Sequence, residues 1–246
     1  HYVLNKDMGY TPECIVEEYQ YCNNYETSQA VKHFYEGLPY VEAVASSLEN
    51  SPLWGYSGEL MFDEGGKSLF STKYDYADED YAKMMGINIK QGRFPRERRE
   101  VSANETWLKT RGWSVDHAIG QTIQTEEGKV KIVGIIKDFH IGNFFNENQP
   151  FLMHYNPTFN GMSHLRLKEP FAENLHRLNK ETGEAFPGQT IDFEGLEQAL
   201  ADSYNSVRVF RNATIVATFV ILFITLMGLI GYTNDETQRR SKEIAI

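Results

Sequence analysis

Apolar residues form their longest run near the end of the chain, where residues 213–232 read ATIVATFVILFITLMGLIGY and carry no charge. A helix of these twenty residues is about 30 Å long, which matches the hydrocarbon core of a bilayer. Helices buried inside soluble proteins rarely continue for about six turns without a charge. The pattern therefore predicts a transmembrane helix, whose residues include Ile215, Phe219, Leu222, Leu226, Leu229 and Tyr232.

Basic residues flank this predicted span on both sides. Three of them follow it within residues 239–242, and two precede it within residues 208–211. Short cytoplasmic segments carry an excess of Lys and Arg. We therefore predict that residues 233–246 are cytoplasmic and that residues 1–212 lie outside the cytoplasm, although the two preceding basic residues reduce the asymmetry.

Apolar side chains also recur at helical spacing upstream of the span, from Leu196 to Phe210. No Pro or Gly occurs between Gly195 and the start of the span. This pattern predicts a stalk helix over residues 196–212 that is continuous with the span. At the other end of the chain, residues 1–12 resemble the end of another helix. Both ends of the body outside the cytoplasm are therefore expected to point toward the membrane.

Strand and helix patterns alternate in this body and predict two β-α-β units. The first unit has strands at 13–22 and 40–47, and its helix is capped by Thr27 or Ser28 and ends near Gly37. The second unit comprises a strand at 163–168, a helix from Phe171 to a break at 183–188, and a strand at 189–193.

A long segment between the two units contains elements of its own. One helix has Asn104 as its N-cap and Gly112 as its C-cap, and a hairpin after it turns at Glu126–Gly128. The stretch EGGKS at 64–68 lacks the glycine spacing of a phosphate-binding loop, so we interpret it as a turn between strands.

The predicted fold class is α+β. Residues 13–50 and 151–195 form one discontinuous domain, residues 51–150 form an inserted mixed α/β subdomain, and the stalk and span follow. The chain has 34 acidic and 24 basic residues and a net charge of -10. Because phosphate binding requires clustered Lys and Arg, this balance argues against a nucleic acid partner.

Few residues suggest chemistry at a site. Asp138 and His140 would share one face of a strand, either as a metal-ligand pair or, as we favour, as a hydrogen-bonded pair at the end of the strand. Cys14 and Cys22 would lie roughly 26 Å apart along one strand, so we predict free or buried thiols. No hydrolase, metalloprotease or Cys-His signature occurs, which predicts that the chain is not an enzyme.

Two blocks of sequence together resemble a known family. Residues 101–155 contain N-E-T, I-G-x-x-I and V-G-I-x-K-D-F-H motifs followed by a proline, and residues 219–246 end in QRRSKEIAI. Both blocks are similar to FtsX-like, MacB-type ABC transporter permeases, in the form common in Bacteroidetes. The family positions of the first block are Asn104, Gly120, Gly134, Asp138, Phe139, His140 and Pro150.

This resemblance implies a permease subunit of the bacterial inner membrane that binds no ATP or other cofactor itself. Its partners would be a nucleotide-binding ATPase subunit, a second permease in a dimer, the lipid bilayer, and a periplasmic adaptor or substrate protein. The discontinuous domain corresponds to the Porter part and the insertion to the Sabre part, which move when ATP is hydrolysed. The segment near the ATPase would contain Gln238, Arg239, Arg240, Lys242, Glu243 and Ile244.

Two other classes of protein share the predicted topology. A transmembrane signalling receptor would also place a ligand-sensing domain outside the cytoplasm, and it would continue into a signalling helix rather than into further spans. An enzyme anchored outside the cell is the third interpretation, and it requires a catalytic cluster in a cleft. The transported substrate cannot be inferred from these patterns.

Overall fold

The computed structural model describes residues 9–18, 25–48, 52–53, 55–142, 147–156, 161–187, 191 and 193–244. The chain divides into two compact units, His1–Leu200 and Ala201–Ile246. The strands are β1 (Ile15–Glu18), β2 (Val41–Ser47), β3 (Ser57–Phe62), β4 (Ser68–Tyr76), β5 (Ile89–Gly92), β6 (Glu100–Asn104), β7 (Thr122–Thr125), β8 (Gly128–Ile136), β9 (Phe151–His154), β10 (Met162–Leu167) and β11 (Phe193–Gly195). The helices are α1 (Tyr25–Glu36), α2 (Glu79–Met84), α3 (Glu105–Arg111), α4 (Val115–Ala118), α5 (Phe171–Ala185) and α6 (Leu196–Ile244).

The smaller sheet has four strands in the order β11-β1-β10-β2, and each strand is antiparallel to its neighbours. β1 and β2 are therefore parallel to each other with β10 between them, and β10 and β11 are parallel with β1 between them. This is the split β-α-β arrangement, in which two β-α-β units interleave their strands. The α+β prediction and the two predicted units are confirmed.

Apolar side chains from the sheet, α1 and α5 form the core of this part of the chain. Val16 and Leu165 of the sheet, Tyr35 of α1 and Leu178 of α5 are fully buried in one cluster. Removing such a side chain from water contributes about 1.5–3 kcal/mol. The helices therefore cover one face of the sheet.

Both faces of β1 are covered, because all four of its residues are buried. Glu18 is 1% exposed and accepts a hydrogen bond from the hydroxyl of Tyr35 at 3.3 Å. Burial raises the pKa of the Glu18 carboxyl to about 7, against the opposing effect of hydrogen bonds from Ser163 and Tyr35. The carboxyl therefore carries a proton more readily in the folded state than in the unfolded chain.

We expect this carboxyl to make the fold less stable as the pH rises. Its pKa is about 4.5 in the unfolded chain and about 7 when folded, so the penalty begins near the first value and is complete above the second. The Glu18→Gln variant should be more stable by about 3 kcal/mol at pH 8 and unchanged at pH 4. Chemical unfolding of the detergent-solubilised chain at both pH values measures this, and Glu42→Gln at an exposed position of β2 is the control. Equal effects of both substitutions at pH 8 would contradict the prediction.

The larger sheet has seven strands in the order β5-β8-β6-β9-β4-β3-β7. β7 also pairs with β8, so six of these strands form a closed ring, and β5 lies outside it. Alternate side chains of the six strands point inward and are buried, as in a small barrel. The interior cluster contains Met61, Val101, Ala103, Ile123, Val130, Ile132, Ile135 and Leu152, together with Trp107 and Leu108 of α3.

β9 pairs with β4 and with β6 in this larger sheet. The sequence prediction placed residues from 151 onward in the discontinuous domain, so that boundary lies too early and falls after His154. A short apolar strand shows by itself no preference for one sheet, because its partners are distant in sequence.

Several predicted element ends are wrong by a few residues. α1 begins at Tyr25, before Thr27 and Ser28, and its first turn already contains an acidic side chain, which is favourable near the positive end of a helix. α5 continues through Gly183 to Ala185, because one glycine costs only about 1 kcal/mol in a helix. The last strand is Phe193–Gly195, which fits the register of β1.

The structure describes only some of the remaining predicted features, which are the cysteines, the ends of the body and the turn at 64–68. Cys14 is a free thiol that precedes β1, in the left-handed backbone region with φ of 57°. Cys22, residues 1–8 and residues 188–190 lie outside the described residues. The predicted turn at 64–68 is confirmed, since Asp63 Oδ1 accepts hydrogen bonds from the backbone N–H groups of Gly65 and Lys67.

Candidate functional site

The apolar segment of α6 has the length and composition to cross a membrane. It covers Val209–Asn234, which is 26 residues; its most apolar 18-residue window has a mean hydropathy of 2.6, and none of that window is buried. Among the six residues named in the predicted span, the exposed fractions run from 47% at Ile215 to 69% at Tyr232, and Phe219, Leu222, Leu226 and Leu229 fall between them. Such a large exposed apolar surface requires a membrane or another apolar partner.

Threonine hydroxyls in this segment bond to the helix itself. Thr214, Thr218 and Thr225 each donate to the backbone carbonyl four residues earlier, at 2.8–2.9 Å. No side-chain hydroxyl among these three therefore needs water, which suits a hydrocarbon environment.

Small side chains occupy one face of the same segment. At 100° per residue, they fall within about 140° of one another on the helical wheel, an arc that also contains Ile221 and Ile224, and the other bulky side chains fill most of the remainder. Faces of this kind allow close approach of a second membrane helix. The small residues are Ala213, Thr214, Ala217, Thr218, Thr225, Gly228 and Gly231.

The C-terminal basic segment is part of the same continuous helix, which reaches Ile244. Arg240 is exposed and pairs with Glu236 one turn earlier, with 3.0 Å between Nε and Oε1. The side chains of Gln238, Arg239, Lys242, Glu243 and Ile244 lie outside the described part of the chain.

Asn104 bonds to three backbone groups in two segments of the insertion, the first turn of α3 and residues 149–151. Its Oδ1 accepts hydrogen bonds from the N–H groups of Trp107 and Phe151, and its Nδ2 donates to the carbonyl of Gln149, each at 2.9 Å. The predicted N-cap at Asn104 and the C-cap at Gly112 are both confirmed. Pro150 lies beside these contacts, and its carbonyl accepts from the N–H of Lys73 at 2.8 Å.

Asp138 follows β8 rather than lying within it, so the prediction that it shares a strand face with His140 is wrong. Its carboxylate accepts two hydrogen bonds from Thr106, one from the backbone N–H at 2.9 Å and one from the side-chain hydroxyl at 2.8 Å. It therefore stabilises the first turn of α3. Asn104, Asp138 and Pro150 thus meet at the start of one short helix, and Phe139 is buried beside them.

Gly120 and Gly134 are required for different reasons. Gly134 lies on β8 so close to the loop after β5 that a Cβ atom would come within 2.0 Å of the carbonyl oxygen of Arg93. Gly120 has open space around it, but its φ of +89° disfavours other residues. Most family positions of the insertion therefore have an architectural role in this chain.

A buried polar cluster joins the two sheets, and sequence patterns did not indicate it. His164 lies with Nε2 2.8 Å from Ser47 Oγ and with Nδ1 3.4 Å from Glu17 Oε1, and all three residues belong to the smaller sheet. The ring of Tyr81 from α2 packs on His164 and its hydroxyl lies 2.9 Å from that of Tyr56. The only local signal is the pair of adjacent acidic residues in the apolar strand β1.

A second buried pair lies inside the ring of strands. Glu59 of β3 and His154 of β9 are 4% and 2% exposed, and Oε1 and Nε2 are 2.9 Å apart. The rings of Tyr74 and Tyr76 pack against His154. The pair therefore satisfies two buried polar side chains from strands that are not neighbours in the sheet.

Comparison with solved structures relates this architecture to known proteins. The periplasmic region of MacB from Actinobacillus actinomycetemcomitans matches with a TM-score of 0.57 and 11% identity, over 83% of this chain and 99% of that one. The chain has the fold of a MacB periplasmic region. No protein-family model matches the sequence, and no curated protein matches it.

Two further structures are similar over smaller parts of the chain. A domain described as that of a permease protein from Porphyromonas gingivalis has a TM-score of 0.47 and 16% identity, over 74% of this chain and 89% of that one. The extracellular domain of the ABC-type transporter YknZ from Gram-positive bacteria has a TM-score of 0.47 and 10% identity, over 69% and 95%.

Proposed function

We propose that this chain belongs to an FtsX-like, MacB-type permease subunit of an ABC transporter. Its domain outside the cytoplasm would couple cytoplasmic ATP hydrolysis to export or other work in the envelope. The observation that carries the proposal is the combination of a MacB periplasmic fold with a membrane-length apolar segment in α6, the helix that follows its last strand.

Continuity of the chain supports a mechanical form of coupling. β11 ends at Gly195 and α6 begins at Leu196 without a loop, and Leu196, Ala199 and Leu200 are buried. A displacement of the helix would therefore be passed to the domain through packed side chains rather than through a flexible linker. Residues 1–212 would be periplasmic and residues 233–246 would face the ATPase in the cytoplasm.

Purification of the full-length protein from its native membrane tests the proposed function. We expect a nucleotide-binding subunit to co-purify and the complex to hydrolyse ATP in proteoliposomes. Co-purification with a phosphorylated signalling partner and no ATPase subunit would instead support the receptor interpretation and would overturn the proposal.

In a permease, the small-residue face of α6 should contact another span. We expect Ala217→Leu with Gly228→Leu to destabilise the assembled permease by about 1–3 kcal/mol, because the added bulk separates the helices. Leu226→Phe adds bulk on the opposite face and is the control. Thermal dissociation in detergent measures the effect, and equal losses from both faces would contradict the assignment.

A further inference from the structure

A groove opens in the insertion where the ring of strands is least completely closed. It has a volume of about 940 Å³ and lies between the turn after β3, the start of β7 and the end of α3. This volume is in the range of about 300–1,000 Å³ that is typical of ligand sites. Its lining includes Met61, Leu69, Trp107, Arg111, Trp113 and Ile123.

β3 and β7 are joined by one residue pair, Phe62 with Gln124. Beside that pair, the N–H of Leu60 donates to the side chain of Glu126 at 3.1 Å instead of to a strand carbonyl. After Phe62 the chain turns away into the β3–β4 hairpin, whose turn is held by Asp63. The first half of β7 therefore has no neighbouring strand on this side within the described residues.

Thr122 presents an open strand edge to this gap. Leu60 and Phe62 direct their N–H groups toward β7, so Gln124 directs its own backbone groups toward β3. Residues two apart in a strand direct their backbone groups to the same side, so the N–H and C=O of Thr122 point that way as well. Thr122 is exposed, and its cross-strand partner, Lys131, lies on the other side.

Aromatic side chains form the floor of the groove. Trp113 packs edge-on against Trp107 with 5.9 Å between ring centroids, and the Arg111 guanidinium lies 4.9 Å from the Trp113 centroid. Trp107 is fully buried, and its Nε1–H has no hydrogen-bond partner among the described residues. Trp113 is only partly buried, so an apolar group can pack on its ring.

The charged side chains that line the groove are mostly acidic. Asp63, Glu64 and Glu126 outnumber Arg111 and Lys129. An extended peptide with apolar side chains and basic ends complements these features, since its backbone also offers the donors and acceptors that an open strand edge lacks.

We propose that this groove binds an extended peptide segment of a partner protein by strand addition beside Thr122. An apolar side chain of the segment lies on the ring of Trp113, and its basic residues lie near Glu64 and Glu126. This binding does not require coupling to an ATPase, so it can fail while the proposed function holds, and the reverse is also true.

The probe is a short capped peptide of alternating valine and threonine with a lysine at each end. We expect it to change the tryptophan fluorescence of the full chain in detergent and to slow amide hydrogen exchange at Thr122. The same peptide with proline at its central position should bind at least about tenfold more weakly, because proline cannot donate to a strand edge.

Two exposed leucines provide matched variants. Leu69 lines the groove and is 39% exposed, whereas Leu60 is 40% exposed and lies outside the lining. Leu69→Lys should weaken peptide binding at least about tenfold and Leu60→Lys should not. Strand addition would be overturned if the proline peptide bound as tightly as the probe peptide, or if both leucine variants lost the same affinity. It would also be overturned if dodecanoate bound and the peptide did not.

Discussion

Reversing Arg239, Arg240 and Lys242 to glutamate is expected to uncouple the proposed permease from its proposed ATPase subunit, while the domain formed by residues 9–200 stays folded. These residues follow the span on a continuous helix, and they belong to the segment that resembles the family's ATPase-facing sequence. Opposing like charges across an interface cost several kcal/mol, so we expect the affinity for the ATPase to fall at least about 100-fold. In Arg240→Glu, the new charge would also repel Glu236, its present partner.

The measurement is ATPase binding and ATP hydrolysis in proteoliposomes. Arg208→Glu with Arg211→Glu places new acidic charges on the other flank of the span and is the control. Because basic residues also determine orientation, accessibility of a cysteine placed at Lys180 should first show that the domain remains outside. Unchanged affinity in the correctly oriented triple variant would contradict the assignment of this segment.

Asn104→Ala is expected to be among the most destabilising single substitutions in the insertion. It removes three hydrogen bonds from a fully buried position and leaves the buried N–H of Phe151 without an acceptor. Loss of a helix cap costs about 1 kcal/mol, and each unsatisfied buried group costs about 1–3 kcal/mol. We therefore expect a loss of about 4 kcal/mol in the free energy of unfolding.

Ser114→Ala is the matched control for this prediction. Ser114 caps α4 through a single hydrogen bond to the N–H of His117 at 3.3 Å, so its loss should cost about 1 kcal/mol or less. Chemical unfolding of both variants, followed by circular dichroism, gives the comparison. If Asn104→Ala cost no more than Ser114→Ala, Asn104 would be a simple cap and not a junction between α3 and residues 149–151.

Local signals in the sequence predicted the elements that depend on local contacts. Asn104 and Gly112 bound α3 as expected, because a cap bonds to residues within the same turn. The hairpin of β7 and β8 and the turn held by Asp63 were also predicted correctly, since both depend on neighbouring residues. The run of uncharged residues in α6 was equally visible, because helical length alone relates it to a bilayer.

Contacts between distant segments could not be predicted in the same way. β9 joins the larger sheet through partners about 50 and 80 residues away, and nothing in its four apolar residues selects them. The contact of Asp138 with Thr106 likewise joins the end of one strand to the start of a helix far upstream. Buried His164 and Glu17 meet only when two strands pair.

The proposed function requires that ATP hydrolysis in the cytoplasm moves the domain outside it. Spin labels at Lys180→Cys, an exposed position of α5, would report the distance between the domains of two permease copies once Cys14 and Cys22 are replaced. In proteoliposomes with the ATPase, we predict that the distance distribution in the nucleotide-free complex differs from that in the ATP-bound complex. Identical distributions in a complex that actively hydrolyses ATP would contradict the claim.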